Sequence, residues 1–138
     1  MHRIVRWLPA VACMAAIFYL SHQTGDDLGT LLPFFQRLLP AMESFDWGHF
    51  FAYFGLALTY YWALLPRLSG WGGKALVVLL SVLYGVTDEF HQRFVEGRMS
   101  DVRDLRNDAI GAALAMLFVS LPAIDRLLRR ASDASKKY

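Results

Sequence analysis

A polar band between two apolar stretches constrains this chain more than any other feature. The band occupies residues 88–111, and the uncharged runs beside it, residues 75–87 and 109–124, contain 13 and 16 residues. A helix that crosses a bilayer needs about 20 residues, so each crossing helix has to include part of the band. Ionisable side chains are costly at membrane depth and persist there for pairing or for function. The band is therefore the first candidate for a functional site.

The composition is typical of a small membrane protein. Of the 138 residues 56% are hydrophobic, and the mean hydropathy is +0.33, whereas soluble domains are roughly 45–50% apolar. The length fits one domain. A net charge of +2, unevenly placed, argues against a nucleic-acid partner. The single cysteine excludes an internal disulfide framework.

The apolar runs predict an all-α membrane protein with four transmembrane helices, over residues 7–24, 47–66, 74–93 and 105–124. Nine Lys/Arg residues then share one side with both termini, and five lie on the other side. The positive-inside rule places both termini in the cytoplasm. Residues 1–124 form the membrane domain in this interpretation, and residues 125–138 form a short basic cytoplasmic tail. The arginines inside the band, at positions 93, 98, 103 and 106, are expected to pair with its acids.

Two segments at the start of the chain allow alternatives. The basic start and Cys13 also resemble a cleaved lipoprotein signal, but the apolar run continues past Cys13 to Leu20, which favours a membrane span. Between the first two spans, apolar residues recur at helical spacing after Asp26 and Asp27. They predict a short amphipathic helix before Pro40, and the alternative is a partly disordered loop.

Helical periodicity predicts how the band is arranged. Asp88, His91 and Gln92 share one face of the third span at about 100° per residue, and Glu89 can pair with Arg93. On the fourth span, one face carries Asp104, Asn107, Asp108, Gly111 and Ala115. The two faces should meet across a short hairpin, with Gly111 and Ala115 allowing close approach. We expect Gly97 to end the third span, Ser100 or Asp101 to cap the fourth, and the glycines at 70, 72 and 73 to form the turn before the third.

At these residues the sequence resembles the VanZ-like family of small membrane proteins. The resemblance covers roughly residues 15 to 120. It rests on Asp88-Glu89, Gln92, Gly97-Arg98, Asp104, Asn107 and Gly111, together with Asp46, His49, Phe50 and Tyr53 and with Ser21 and Gln23. The chain departs from the family pattern at Trp47, where Lys is usual, and at Ala115, where a second Gly is common. The resemblance implies the four-span fold and a link to the glycopeptide antibiotic teicoplanin, without implying a reaction.

Three functions are consistent with the band. We favour an outward-facing pocket that binds a lipid-linked envelope precursor in the bacterial inner membrane, because Arg98 suits a phosphate or carboxylate. The alternatives are a membrane enzyme, in which His49 and His91 with Asp88, Glu89 or Asp104 hold a divalent metal or act as acid and base, and a purely structural clasp. We expect no cofactor, no bound metal, and membrane lipids as partners. The candidate site residues are Asp46, His49, Asp88, Glu89, His91, Gln92, Arg98, Asp104 and Asn107, with Gly111 and Ala115 for packing.

Overall fold

The part of the chain that the structure describes is helical. The structure is a computed structural model that describes residues 4–38, 40, 46–65, 67 and 70–134. Within these residues a 3₁₀ turn, Val5–Trp7, precedes six α-helices and there is no strand. The helices are α1 (Leu8–Ser21), α2 (Gly25–Leu38), α3 (Asp46–Leu64), α4 (Gly70–Gln92), α5 (Val102–Phe118) and α6 (Pro122–Ala134). The all-helical expectation is confirmed.

Helices α1, α3, α4 and α5 alternate in direction, so their ends form two separate polar layers. In one layer Arg6 donates to the carbonyl oxygen of Trp62 at 2.7 Å, and its guanidinium lies 4.2 Å from the centre of the Trp62 ring. In the same layer Lys74 Nζ donates to Ser120 Oγ at 2.6 Å. The opposite layer contains the end of α1, the start of α3, the end of α4 and the start of α5. The predicted band lies in this second layer.

Between the layers, α3 and α5 pack with their backbones close together. A Cβ atom built on Gly111 would lie 2.5 Å from the carbonyl oxygen of Phe50. Ala115 is completely buried. The predicted close approach therefore involves α5 and α3, whereas the sequence prediction assigned it to α5 and α4. Helix α4 meets α5 at a different small residue, Gly85, where a Cβ atom would lie 2.6 Å from Asp108 Oδ2.

The outer face of α4 is more apolar than its inner face. Leu76, Leu79, Leu83 and Val86 are exposed, whereas Ser81, Gly85, Asp88, Glu89 and Gln92 are buried. Among the described helices, α4 is the one that is long and apolar enough to cross a membrane alone. Helices α5 and α6 meet the same criterion as a pair bent by 84°. The four-span topology and the cytoplasmic termini stay predictions.

The ends of α4 differ from the prediction. The helix begins at Gly70, so Gly72 and Gly73 are helical and do not form a turn. Gly70 alone of these three has a positive φ, of 73°. At the other end, α4 stops at Gln92, and Gly97, also with a φ of 73°, lies in the loop that follows. Glycine suits both positions because a left-handed backbone penalises side chains with a Cβ.

Helix α5 is capped as predicted but stops early. The Asp101 side chain accepts from the backbone N–H of Arg103 at 2.8 Å, which is a standard N-cap bond. The helix ends at Phe118, six residues before the predicted end at Ile124, and the chain then turns into α6. Proline at the first position of α6 is compatible with a helix start, because that residue needs no N–H partner. Most of the predicted tail is therefore an ordered helix, at least as far as Ala134.

Helix α6 is tied to the first polar layer through Asp125. This carboxylate accepts from Arg129 Nε at 2.8 Å and from the Tyr61 hydroxyl at 3.4 Å. The hydrogen bond from Arg129 lowers the pKa of Asp125 below its ordinary value. These contacts place the start of α6 against the end of α3.

The predicted amphipathic helix is present as α2. Its first turn contains Asp26 and Asp27, as expected for the positive end of a helix dipole. Thr24 and Asp27 form a reciprocal cap, in which each side chain accepts from the backbone N–H of the other, at 3.2 and 3.3 Å. Pro33 lies within the helix. The side chains of its predicted apolar face at positions 28, 31, 32, 35 and 38 fall outside the description.

Candidate functional site

His49 is the centre of a cluster of buried carboxylates. It lies in the first turn of α3 and contacts α5 with both ring nitrogens. Nδ1 lies 2.8 Å from Asp108 Oδ1, and Nε2 lies 3.7 Å from Asp104 Oδ2. Asp104 and Asp108 are one helical turn apart and therefore share a face of α5. The close packing at Gly111, one turn further on, brings that face against His49.

Gln92 links the end of α4 to two other elements. Its amide nitrogen donates to Asp88 Oδ2 at 3.3 Å and to Ser21 Oγ, at the end of α1, at 3.4 Å. Its amide oxygen accepts from Arg98 Nη2 at 2.9 Å. Asp88 Oδ2 also accepts from the Tyr53 hydroxyl of α3 at 3.4 Å. Gln92 is completely buried, so this amide is a structural bridge as well as a candidate ligand group.

Glu89 forms a hydrogen bond with the loop between α4 and α5. Its Oε2 atom accepts from the backbone N–H of Asp101 at 2.9 Å, next to the N-cap of α5. The sequence had predicted a helical pair between Glu89 and Arg93, but α4 ends before Arg93 and the carboxylate turns toward α5. Glu89 therefore belongs to the same cluster as His49 and Asp104. One ligand atom from each of these three residues lies within 4.8 Å of the others.

Several buried oxygens of the cluster have no hydrogen-bond partner in the described part of the chain. They are Asp88 Oδ1, Glu89 Oε1 and Asp108 Oδ2. The parent residues are 4%, 7% and 0% exposed. Buried polar atoms are nearly always satisfied in folded proteins, because an unmade hydrogen bond costs about 1–3 kcal/mol. If the cluster were a purely structural clasp whose polar groups satisfy one another, these three oxygens would have partners among the described residues.

A cavity of about 80 Å³ opens beside the cluster. Its polar wall includes His49, Asp88 and Arg98, and its apolar wall includes Ile17 and Ala52; the remaining lining residues are Leu20, Ser21, Gly48 and Tyr53. A single water needs roughly 10–15 Å³ of such volume, so the cavity has room for several waters or one small chemical group. An open space of this kind favours a binding or catalytic site over a closed clasp.

The structure brings together six of the candidate residues. Each of them takes part in the contacts described above: His49, Asp88, Glu89, Gln92, Arg98 and Asp104. Asn107 is buried on α5, and its side-chain oxygen accepts from Arg106 Nη2 at 3.4 Å. Asp46 begins α3, but its side chain lies outside the described atoms.

His91 has different neighbours from His49, although the enzyme alternative used the two histidines together. Its Nε2 atom is 3.3 Å from His22 Nδ1, and its ring stacks on Phe18 with centroids 4.4 Å apart. His91 and Asp88 are only 60° apart around α4, but the His91 ring contacts Phe18 of α1 whereas Asp88 contacts Tyr53 of α3. The described contacts of His91 are with α1, whereas the ion pairs of His49 are with α5.

The expected pairing of the band arginines with acids is also wrong within the described residues. Among the described residues, the side-chain ion pairs within 4.0 Å are His49–Asp104, His49–Asp108 and Arg129–Asp125. Arg98, one of the band arginines, instead donates to the neutral Gln92 amide. Arg98 lies in the loop that follows the last turn of α4, so its side chain lies close to Gln92 at the end of that helix.

Asp108 is the main residue that the candidate list missed. Periodicity placed Asp108 on the correct face of α5, but it was not proposed as a site residue. In the structure its carboxylate is the one nearest to His49. Tyr53 and Ser21 were part of the family resemblance and were not proposed as site residues. Gly85, whose lack of a side chain leaves room for Asp108, had no distinguishing sequence signal.

These observations define a class: an all-helical protein with apolar side chains outside and a histidine–carboxylate cluster inside one end. The chain belongs to the VanZ/LLP1 family, whose model matches residues 6–123. The match includes all of α1 to α5, and the resemblance seen in the sequence is confirmed. No curated protein and no solved structure matches the chain significantly.

Proposed function

We propose that the chain is a multi-pass protein of the bacterial inner membrane and that its cavity binds a lipid-linked envelope precursor. The observation that carries the binding role is the buried Asp88 Oδ1 atom, which has no hydrogen-bond partner among the residues that the structure describes and belongs to a residue that lines the same cavity as Arg98. A carboxylate residue and an arginine therefore line one small space. Such a space suits a ligand that has both a donor group and an anionic group.

The membrane assignment is supported by the distribution of side chains. The exposed face of α4 carries leucine and valine, and its buried face carries carboxylates and an amide. This order is the reverse of a soluble helix and fits a lipid environment, in which polar groups must be satisfied inside the protein. At 1.5 Å per residue, α3, α4 and α5 are about 25–35 Å long, close to the thickness of a bilayer core.

The charge of the two layers supports cytoplasmic termini. Arg6, Lys74 and Arg129 lie at the end of the bundle that also holds α6. The opposite end holds the acidic cluster around His49. The positive-inside rule then places the cluster and its cavity toward the outer leaflet. A pocket in that position would meet precursors on the outer side of the membrane.

The size of the cavity limits what enters it. A volume of about 80 Å³ holds part of a headgroup and cannot hold a complete precursor. Arg98 would bind a phosphate or carboxylate, and Asp88 Oδ1 would accept from a hydroxyl, amide or ammonium group. A lipid-linked sugar or peptide precursor carries both kinds of group. Through such a ligand the protein would influence sensitivity to teicoplanin.

We would test this proposal with a substitution that fills the cavity without removing a polar group. Ala52 lines the cavity, so Ala52→Leu adds three carbon atoms there. The matched control is Ala113→Leu on the exposed side of α5. Both full-length variants and the wild type would be compared for binding of a polyprenyl phosphate by native mass spectrometry. The same set would be expressed in a teicoplanin-sensitive host for measurement of the inhibitory concentration.

We expect Ala52→Leu to lose polyprenyl phosphate binding and any change in teicoplanin sensitivity, whereas Ala113→Leu behaves as the wild type. Arg98→Gln should lose binding as well, since it removes the guanidinium. If the wild type does not bind polyprenyl phosphate, or if Ala52→Leu binds it equally well, the binding proposal is wrong. Size-exclusion profiles of the purified variants separate loss of binding from loss of folding.

A further inference from the structure

The His49 cluster contains four carboxylates, those of Asp88, Glu89, Asp104 and Asp108. Asp88, Glu89 and Asp108 are buried, and Asp104 lies 3.7 Å from His49 Nε2. Three of the buried carboxylate oxygens have no partner among the described residues. Arg98 contacts the neutral Gln92 amide. A cation inside the cluster would balance this charge and satisfy oxygens that are otherwise unpaired.

The orientation of His49 is that of a metal ligand. An ionised carboxylate only accepts hydrogen bonds, so with Asp108 ionised it is His49 Nδ1 that donates across the 2.8 Å contact to Asp108 Oδ1. In the tautomer that has its proton on Nδ1, a neutral His49 ring carries its lone pair on Nε2, on the opposite side. Metal-binding histidines commonly donate their second ring N–H to a carboxylate in this way, which fixes the tautomer and makes the ligating nitrogen more basic. Asp108 therefore orients His49.

Two carboxylates, from Asp104 and Glu89, lie close to the His49 ring. His49 Nε2 is 3.7 Å from Asp104 Oδ2, too far for a hydrogen bond. Two ligands bound to one tetrahedral ion at about 2.0–2.2 Å are about 3.4 Å apart, so the observed spacing is close to that of a shared metal. Glu89 supplies the third ligand atom, and all three atoms lie within 4.8 Å of one another. Glu89 is 7% exposed, and its Oε1 atom is unpartnered in the described chain.

We propose that His49, Glu89 and Asp104 bind a divalent transition-metal ion of the Zn²⁺ or Mn²⁺ type, with Asp108 orienting the histidine. One imidazole and two carboxylates favour such an ion over Mg²⁺ and Ca²⁺, which prefer oxygen ligands alone. Three protein ligands leave at least one coordination position for water or for an oxygen of a ligand. His49 also lines the cavity, so that position would lie near its polar wall.

The experiment measures metal binding by the full-length protein, purified in detergent without a polyhistidine tag. The protein would be dialysed against Zn²⁺ or Mn²⁺, desalted and assayed for metal content, and its affinity measured by titration calorimetry. Ligand variants are His49→Gln, Glu89→Gln and Asp104→Asn. The matched controls are His22→Gln and Glu96→Gln, two exposed residues outside the cluster.

We expect the wild type and both controls to bind one equivalent, with Zn²⁺ tighter than Mn²⁺. Each ligand variant should lose that equivalent, whereas Asp108→Asn should keep it at about 10–100-fold lower affinity. The apparent melting temperature of the wild type should rise with added metal, which tests the site without any variant. The proposal fails if the wild type shows no saturable binding. It also fails if His22→Gln loses the metal while His49→Gln keeps it, because the ion would then bind the His22–His91 pair.

This proposal does not depend on the proposed function. Metal binding is measured with the ion alone, so failure of polyprenyl phosphate binding would leave it unaffected. Conversely, a protein that binds polyprenyl phosphate but no metal would retain the cavity function and lose only the metal site.

Discussion

Gly111 is the position at which a single added carbon should damage the fold most directly. A Cβ atom there would lie 2.5 Å from the carbonyl oxygen of Phe50 and 3.2 Å from its carbonyl carbon and Cα atom. All three are backbone atoms of α3, so no side-chain rotation relieves the clash. Helices α3 and α5 would have to separate. Gly111→Ala should therefore be destabilising even though alanine is the better helix former.

Two opposing effects determine how much Gly111→Ala changes the free energy of unfolding. Forcing one extra carbon into a packed contact costs about 1–3 kcal/mol, and the gain in helix propensity returns about 0.5–1 kcal/mol. Glycines at 55 and 72 are also helical, and a Cβ atom at either would have no atom within 4 Å among the counted neighbours. Gly72→Ala is therefore the matched control, with the propensity gain and no clash.

The assay is thermal unfolding of purified full-length protein in detergent, followed by size exclusion with fluorescence detection. For domains of roughly 60–250 residues, 1 kcal/mol corresponds to about 2–8 °C in melting temperature. Gly111→Ala should thus melt several degrees below the wild type, and Gly72→Ala at or slightly above it. Equal melting temperatures for the two variants would refute the close contact between α5 and Phe50.

Two further predictions concern the topology and the Gln92 bridge. Met99 and Leu121 are exposed residues that flank α5. In a Cys13→Ala background, a membrane-impermeant thiol reagent on intact spheroplasts should therefore label Met99→Cys and leave Leu121→Cys unlabelled. The opposite labelling pattern would invert the proposed orientation. Gln92→Ala and Arg98→Gln should be non-additive in stability by about 0.5–3 kcal/mol, because the two side chains share one hydrogen bond of 2.9 Å. Gln92→Ala combined with Arg103→Gln is the additive control, and additivity in the first pair would mean that the bond contributes nothing.

Periodicity predicted the faces of the helices but not their partners. The same spacing that placed Asp104, Asp108 and Gly111 on one side of α5 holds whether that side meets α3 or α4. The choice depends on tertiary packing, here on the contact between Gly111 and Phe50. The different neighbours of His91 and Asp88 have a similar origin. A sector of about 100° on α4 is wide enough to include residues that contact two different neighbouring helices.

The loop between α4 and α5 was the least predictable part of the site. Because this loop has no periodicity, no sequence pattern predicts that Arg98 contacts Gln92 instead of a carboxylate. Its N-cap at Asp101 was predictable because capping depends on local chemistry. The bridge makes Gln92 a structural residue as well as a candidate ligand group. Removing this completely buried amide would leave both Arg98 and Asp88 short of a contact, so a folding defect at Gln92 is not by itself an argument against a pocket.

The energetics of the His49 cluster argue that it exists for a ligand. Replacing a buried charged network by apolar residues of similar volume is often neutral or stabilising, so a network of this kind is not needed to close a helical bundle. The packing of α3 on α5 already depends on Gly111 and Ala115 and requires no charge. The cluster nevertheless keeps buried carboxylates, with oxygens that have no partner in the described part of the chain, beside an open cavity. Groups that cost stability and leave bonding capacity unused are best explained by a cation or a polar ligand that uses that capacity.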